Sequence, residues 1–466
     1  MKAYIQAPAY ARPERPGTRG MDGNLGRMQR LIGRAWDRGT EPLYRNAFFI
    51  MSSSVLGGAL GLPFILLATA LYSSNDVGYA TAIVSALSFI GTLGLLGLGV
   101  AIVRFLPETE DKSSVINTAL TLVGILTVGI AVVFVIGVNV WLPSLGFILT
   151  SPLYVPAILA AALAIAFAPI LDQVGFAARR AEISTVRTVV FGIARIAFLV
   201  GFASFALTRG RFGVFASMTL GFVIAVLVEG VLLIPWILPG YRPRPDFRVR
   251  QLRPMLSFSL GNYVATSIGA LGGSGVPLLI LSLLGSTGPS TQAVFYFSSG
   301  ISSVLLIIPN ATFTSFFAEA SQKHASRHAD ERKAILLSLG LLVPGIVIMW
   351  ILAGWLLALP GSTRVYATNG LEALRILIFT SIPAFLNGLL STRIRIRKRS
   401  LPLIIASGIS TSVTLSLAIL LIPTMQANGA AFAVLVGAFA ATPYYYGVAR
   451  RSFRSEGDTP MAPVQM

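Results

Sequence analysis

Long apolar stretches separated by short polar connections run along almost the whole chain, starting near residue 47. A run of about 18 or more apolar residues is long enough for one helix to cross the roughly 30 Å hydrocarbon core of a membrane. The pattern therefore predicts an all-α, polytopic membrane protein with about twelve transmembrane helices. The predicted spans are 47–72, 77–103, 115–140, 155–178, 188–207, 212–238, 256–284, 293–318, 334–359, 371–391, 401–423 and 429–449.

Composition supports this prediction and excludes several kinds of chemistry. Of the 466 residues, 55% are hydrophobic and only 12% are charged, whereas soluble domains carry about a quarter charged residues. The absence of cysteine excludes disulfides and thiol chemistry. His324 and His328 are spaced for a metal site on a helix, but the charged residues around them favour a solvated loop. The sequence predicts no cofactor.

The net charge of +18 is explained by topology. If the N-terminus is cytoplasmic, 31 of the 36 Lys and Arg residues lie on the cytoplasmic side, as the positive-inside rule requires. We therefore predict a cell membrane protein with both termini in the cytoplasm, and no nucleic-acid partner. The predicted outer loops are too short to hold a catalytic domain, so the chain is not predicted to be an enzyme.

The tail of residues 1–44 is basic and contains one amphipathic segment. Within residues 21–40, six apolar positions share one side of a helix and four arginines share the other. This pattern predicts an interfacial helix on anionic membrane lipid, and a solvated tail with chance periodicity is the alternative. The apolar positions are Leu25, Met28, Leu31, Ile32, Ala35 and Trp36, and the arginines are Arg27, Arg30, Arg34 and Arg38.

The two halves of the chain align at an offset of 211–216 residues, with Gly-Gly pairs and prolines in register. This indicates an N-lobe (45–240, spans 1–6), a cytoplasmic linker (241–255), a C-lobe (256–450, spans 7–12) and a C-terminal tail (451–466). An even number of spans per copy predicts parallel lobes related by a pseudo-two-fold axis along the membrane normal, a transporter architecture. Pro63 and Pro277 predict bends, which serve as hinges or only permit close packing.

Three charged residues are predicted within the membrane: Asp172, Arg195 and Glu229. A charge at the bilayer centre costs at least ~2.5–3.5 kcal/mol, so each should face a partner or a wet cavity. Counted from their helix ends, Asp172 and Arg195 lie at similar depth, which predicts an ion pair between them. Two interpretations remain open: a purely structural pair, or an arginine that faces a cavity and binds a phosphate.

Other candidate substrate contacts are weaker. Glu229 either completes the charged network or carries a proton. Arg104 lies at the predicted inner mouth, where a basic residue also fits simple topology. The C-lobe has no charge at mid-depth, and its polar atoms there come from Asn262, Asn310 and Asn387.

Residues 46–108 and 171–200 resemble the polysaccharide and oligosaccharide-lipid flippases of the multidrug/oligosaccharidyl-lipid/polysaccharide exporter superfamily. The resemblance is carried by a Gly-Leu-Gly segment at Gly97–Gly99, by Arg-Phe-Leu-Pro at Arg104–Pro107, and by a basic residue at Arg195 in the fifth span. It implies two six-helix lobes around a central cavity. There a lipid-linked glycan would bind by its head group and be moved to the outer leaflet by alternating access, with H⁺ or Na⁺ as a possible coupling ion.

Specific residues distinguish the flippase from rival functions. Cation-coupled multidrug or small-solute exporters of the superfamily are the main alternative, but several use a carboxylate in the first helix, and 47–72 contains none. Peptidoglycan-precursor flippases resemble the chain less, because they generally have more helices and several arginines in the cavity. In this sequence only Arg195 is predicted deep in the membrane. An enzyme of lipid-linked sugars needs clustered outer acids, and only Asp76 and Glu372 are available, on different lobes.

Overall fold

The described part of the chain is helical and contains no strand. The N-terminal amphipathic segment, His324 and the side chain of His328 lie outside the described residues, so the predictions for them stay predictions. The computed structural model describes residues 42–205, 210–320, 327–359, 364–396 and 401–457.

The first half of the chain forms eight helices and one π-helical segment. Ser73 accepts a hydrogen bond from the backbone N–H of Asp76 and so caps α2, and Asp111 caps α4 in the same way through Ser114. The helices are α1 (Pro42–Leu71), α2 (Ser74–Gly94), α3 (Leu98–Phe105), α4 (Lys112–Trp141), α5 (Tyr154–Ala177), α6 (Glu182–Ser204), α7 (Arg211–Leu227), a π-helix (Val228–Leu233) and α8 (Ile234–Ile237).

The second half forms seven helices after a short 3₁₀ turn at Val249–Leu252. Within α14 the backbone leaves the helical conformation at Gln426, where two helices meet at a kink. The helices are α9 (Arg253–Leu284), α10 (Gly288–Ala320), α11 (Arg327–Ala358), α12 (Arg364–Ile378), α13 (Ser381–Ile396), α14 (Leu401–Ala440) and α15 (Thr442–Gly457).

Ten helical segments of the described chain are long and apolar enough to cross a membrane. Two of them are far longer than one crossing requires: Val249–Asn310 has 62 residues and Leu401–Arg450 has 50. The first contains the turn at Gly285–Thr287 and the second contains the kink at Gln426. Each therefore supplies two crossings of about 20 residues. The prediction of a polytopic all-α membrane protein with about twelve spans is confirmed.

Equivalent contacts hold the first and fifth spans together in each half. In the N-lobe, the Thr185 hydroxyl donates to the carbonyl of Phe49 at 3.0 Å. In the C-lobe, the Thr411 hydroxyl donates to the carbonyl of Ile268 at 2.8 Å. The same type of contact therefore joins the corresponding spans of both halves, although these residues do not keep the repeat offset. Pro63 and Pro277 lie inside α1 and α9, which continue as helices through both residues, so the hinge role stays a prediction.

The two lobes meet mainly where α2 packs against α9 and α10. We call the membrane face at which α1 begins the inner face and the opposite one the outer face. At the outer face, Gly78 of α2 lies so close to α10 that a Cβ would overlap the Pro289 carbonyl. The fully buried Gln292 amide points to Thr81 at 3.5 Å. The lobes are therefore in close contact at this outer seam.

The second span is interrupted between α2 and α3, and the break contacts the other lobe. Leu96 and Gly97 adopt positive φ angles of 50° and 70°. A Cβ at Gly97 would crowd Tyr263 of α9 at 2.8 Å, so glycine permits both the turn and the approach. The Tyr263 hydroxyl donates to the carbonyl of Leu93 at 2.9 Å, which satisfies a carbonyl at the end of α2.

The linker between the lobes is fastened to α4. Ser114 donates to the Asp246 carboxylate at 2.9 Å, and the backbone N–H of Asp246 donates to Thr121 at 3.0 Å. A hydrogen bond from the Arg248 guanidinium lowers the pKa of Asp246 to about 2. Because this pKa is below its ordinary value, the contact persists above that pH and is lost only as the pH falls through about 2. The linker is therefore attached to the N-lobe at physiological pH.

We expect Gly78→Val to open the outer seam, because its side chain would overlap the Pro289 carbonyl. The chain has no cysteine, so a single Gln292→Cys reports access to the seam. Labelling of that thiol by a membrane-impermeant maleimide should rise several-fold in proteoliposomes when Gly78→Val is added. The matched control is Gly129→Val, where a Cβ meets nothing within 4 Å. Equal labelling in the two backgrounds would contradict the seam.

Candidate transport site

A cavity of about 430 Å³ lies between the lobes, with α1 and α6 on one side and α10 on the other. Its size is within the range of ligand pockets, roughly 300–1,000 Å³. The walls carry small residues and hydroxyls, and one charged residue. The lining residues are Ser54, Gly57, Gly58, Gly61, Leu62, Ile65, Arg195, Tyr296, Ser299, Gly300, Ser303 and Ile307.

Glycines on neighbouring helices fix the position of Arg195. A Cβ at Gly221 of α7 would lie 2.9 Å from the Cβ of Arg195, so α6 and α7 can pack closely only with glycine there. On the other side, a Cβ at Gly61 of α1 would lie 3.5 Å from the Nη2 atom of Arg195. The guanidinium therefore passes along the bare backbone of α1 and reaches the cavity.

Arg195 is held by aromatic rings and by no carboxylate. Its guanidinium carbon lies 4.7 Å from the ring centroid of Phe64 and 4.5 Å from that of Phe191, both cation–π contacts. The side chain is only 8% exposed, and its Nε atom is buried without a hydrogen-bond partner. Within the described residues no acid forms an ion pair with it. The cavity thus contains a positive charge that the protein does not neutralise.

Asp172 pairs with Arg187 and not with Arg195. The Asp172 carboxylate accepts two hydrogen bonds from the Arg187 guanidinium, at 3.0 Å from Nε and 2.7 Å from Nη2. The predicted Asp172–Arg195 pair is therefore wrong. The prediction failed because α6 starts at Glu182, six residues before the predicted start of this span. Arg187 consequently lies within the helix, at the same distance from the α5–α6 turn as Asp172.

Glu229 belongs to the same charged cluster. Its Oε2 atom lies 3.3 Å from the Nε atom of Arg187, and the residue is completely buried. Neither of its carboxyl oxygens has a hydrogen-bond partner, so the contact with Arg187 is electrostatic only. Glu229 lies in the π-helical segment Val228–Leu233, an irregularity that frequently occurs at functional sites. Asp172, Arg187 and Glu229 form what we call the acid–arginine triad.

The remaining predicted contacts are not brought to the Arg195 cavity. Asn262 and Asn310 do not line it. Arg104 is exposed, and its guanidinium carbon lies 4.6 Å from the ring centroid of Phe258 on the other lobe. Asn387 lines a separate cavity of about 280 Å³ within the C-lobe. The site at the interlobe cavity is therefore built around Arg195.

Sequence reasoning missed the residues that make Arg195 distinctive. Phe191 precedes it by one helical turn, and an i, i+4 pairing on α6 was a usable signal. Phe64 and Tyr296 come from other helices, so their approach depends on tertiary packing. Arg187 was visible in the sequence, but its predicted place in a loop concealed its role.

The C-lobe has a neutral counterpart to the triad. Asn387 falls within the repeat offset from Asp172, and Thr442 does so from Glu229. The Thr442 hydroxyl lies 2.9 Å from the Asn387 Oδ1 atom, and the Asn387 amide donates to the carbonyl of Ala438 at 2.8 Å. The same pair of spans is thus linked by ionic contacts in one lobe and by neutral hydrogen bonds in the other.

Comparison with solved structures shows that this fold is shared with transporters of the MOP superfamily. An inward-facing multidrug-resistance MATE transporter of that superfamily superposes with a TM-score of 0.61 at 16% identity, covering 89% of this chain and 96% of that one. A MOP superfamily transporter from Pyrococcus furiosus, described as having a binding pocket of reverse polarity, gives 0.61 at 16% identity, over 90% and 96%.

The lipid II flippase MurJ in an inward closed conformation has the same fold, with a TM-score of 0.66 at 14% identity over 86% of this chain and 87% of that one. No family model and no curated protein sequence matches the chain. These likenesses confirm the superfamily resemblance at the level of fold. They also confirm the arrangement of two six-helix lobes.

Arg187 and Arg195 of α6 should respond differently to removal. Arg187→Ala leaves the fully buried Glu229 and the partly buried Asp172 without their cation, which should cost about 3–5 kcal/mol of stability. Arg195→Ala removes a charge that has no carboxylate partner, so its stability loss should be much smaller. Thermal unfolding of the purified variants measures the difference. Equal destabilisation by both changes would show that Arg195 has a structural partner after all.

Proposed function

We propose that the protein is a transporter that moves a lipid-linked oligosaccharide or polysaccharide precursor from the inner to the outer leaflet by alternating access. One observation carries the proposal: Arg195 places an uncompensated, buried positive charge in the interlobe cavity. Such a charge is costly in a membrane unless an anion or water compensates it. An anionic head group, such as the phosphate of a lipid-linked sugar, supplies that compensation.

The rest of the cavity suits a sugar-phosphate head. A guanidinium binds phosphate through two parallel N–H donors, and the buried Nε atom of Arg195 is one donor without a partner. The hydroxyls of Ser54 and Ser303 donate to carbonyls of their own helices and can accept from a ligand, whereas the buried Ser299 hydroxyl has no partner and can also donate. The cavity performs no bond chemistry in this proposal, because binding and release by lobe movement are sufficient.

A cation-coupled exporter of drugs or small solutes is the alternative. Its support is the fold shared with multidrug transporters, which is common to the whole superfamily. A cationic drug would meet the like charge of Arg195 in a cavity without a carboxylate among its lining residues. The electrostatics of the cavity therefore favour an anionic substrate.

We expect Arg195→Ala to impair flipping of a polyprenyl pyrophosphate that carries a fluorescent disaccharide in proteoliposomes. Losing a hydrogen bond to a charged group costs about 1.5–3 kcal/mol, or roughly 10- to 100-fold in affinity. Arg195→Lys should be less harmful if charge alone is needed. The matched control is Arg211→Ala, because Arg211 also lies on an aromatic ring, 3.9 Å from the centroid of Phe147, but outside the cavity.

Two outcomes would reject this function. Wild-type flipping by Arg195→Ala at normal protein level would remove the role of the arginine. Export of the cationic dye ethidium by a protein that moves no lipid-linked sugar would favour the drug exporter.

The acid–arginine triad provides a site for a coupling proton. If both acids are ionised, two negative charges face one positive charge, and a buried net charge remains. One proton neutralises the cluster, and Glu229 is the acid whose oxygens have no hydrogen-bond partner. A sodium ion fits less well, because the Arg187 guanidinium already contacts both carboxylates. We therefore favour H⁺ over Na⁺ as the coupling ion.

Glu229→Gln should uncouple transport from a pH gradient, because the amide mimics the protonated acid permanently. Stimulation of flipping by an imposed pH gradient should disappear, whereas exchange without a gradient should continue. Glu108→Gln, an exposed acid at the inner end of the second span, is the matched control. A Glu229→Gln protein with the full response to the pH gradient would exclude the triad as the proton site.

A further inference from the structure

A second, larger cavity lies at the outer face of the C-lobe and has no role in the site described above. Its volume is about 500 Å³. Three connections form it: the turn before α10, the first turns of α12, and the kink of α14 at Gln426. We call it the outer polar pocket.

The outer polar pocket is separate from the Arg195 cavity although both touch α10. Ser290, Thr291 and Val294 line the pocket, whereas Tyr296, Ser299, Gly300 and Ser303 line the cavity. At 100° per residue the centres of the two sets lie on roughly opposite sides of the helix. The helix therefore stands between them, and a ligand in one does not occupy the other.

The lining of the pocket is uncharged apart from one acid. Hydroxyls come from Thr287, Ser290, Thr291 and Thr368, and amides from Asn369, Gln426 and Asn428; the acid is Glu372. No Lys or Arg is among the lining residues that the structure describes. Such a surface offers many donors and acceptors, and the one charged side chain described in it, Glu372, is negative.

Several of these polar groups are left without protein partners. The Asn428 amide donates to the Glu372 carboxylate at 2.8 Å, but the Oδ1 atom of Asn428 is buried and unpartnered. The amides of Asn369 and Gln426 form no side-chain hydrogen bond within the described chain. Gln426 itself has φ 49° and ψ −124°, a conformation rarely adopted outside glycine, and such strain concentrates at functional sites.

A metal cation fits this lining poorly. Calcium takes six to eight oxygen ligands, usually with several carboxylates, and Glu372 is the only acid in the pocket. Among the described residues no group of three His, Cys, Asp or Glu could hold a metal. Hydroxyls and amides, with Val294, Val365 and Leu371 as an apolar side, match a neutral molecule with many hydroxyls.

We propose that the outer polar pocket binds a neutral saccharide unit on the outer face, namely part of the glycan that the protein delivers there. The proposal rests on the proposed function for the identity of the ligand, but its chemistry is independent of it. The Arg195 cavity takes the anionic head group, and the pocket takes uncharged sugar after release. Carboxylate, amide and hydroxyl groups of the pocket would replace water around the sugar hydroxyls.

The test is protection of an introduced thiol, which is possible because the chain has no cysteine. Thr287→Cys and Asn369→Cys place a thiol at two exposed positions of the pocket wall. The rate of maleimide labelling is measured for each purified full-length variant with and without a neutral trisaccharide. The trisaccharides are built from glucose, mannose, galactose or N-acetylglucosamine. We expect at least one of them to slow labelling about tenfold at ten times its Kd, as mass action requires.

Controls separate a bound sugar from other causes of protection. Thr424→Cys, exposed near the same kink but outside the pocket lining, should label at the same rate with and without sugar. The proposal is overturned if no trisaccharide slows labelling at either wall position, if glucuronate protects better than the neutral sugars, or if calcium or sodium chloride alone protects. Labelling does not require transport. Protection by a trisaccharide in a protein without flipping activity would therefore refute the proposed function and still support saccharide binding in the outer polar pocket.

Discussion

The Arg187 guanidinium is the contact on which the charge distribution of the N-lobe depends. It binds Asp172 through two hydrogen bonds and lies 3.3 Å from Glu229, so one cation serves both acids of the membrane interior. Because those acids are engaged there, none remains for Arg195, two helical turns further along α6. The cavity is therefore positive because both nearby acids contact Arg187 instead of Arg195.

The two halves share a packing scheme, but only the N-lobe has charged groups at its equivalent positions. Both halves join their first and fifth spans by a threonine that donates to a carbonyl. Both also join their fourth and sixth spans, through Arg187 in the N-lobe and through Asn387 and Thr442 in the C-lobe. The packing scheme is shared, but only the N-lobe uses ionisable groups. In the proposed function, an anionic substrate or a proton therefore acts on the N-lobe, because the C-lobe has no ionisable group at the equivalent place.

Periodicity and composition predicted the architecture well, because long apolar runs have only one stable structure in a membrane. The repeat was also readable, since its glycines and prolines keep register. The site was harder to predict. Six residues of error in the start of α6 placed Arg187 in a loop and led to the wrong pair for Asp172. Phe64 reaches Arg195, and Tyr296 reaches the cavity, from distant parts of the sequence, and no local pattern indicates which apolar residue will lie on an arginine.

The site is divided unequally between the lobes, and this has a consequence for alternating access. Arg195, Phe64 and Phe191 all belong to the N-lobe, so the cation keeps its aromatic contacts whatever the C-lobe does. Tyr296, Ser299 and Ser303 belong to α10 of the C-lobe. In the proposed transport cycle, a head group bound when the lobes separate would keep its charge contact with Arg195 and would exchange these hydroxyl contacts for water. In that cycle binding would be weakest in the open state, and the aromatic rings would limit the cost of an empty cavity that still contains a charge.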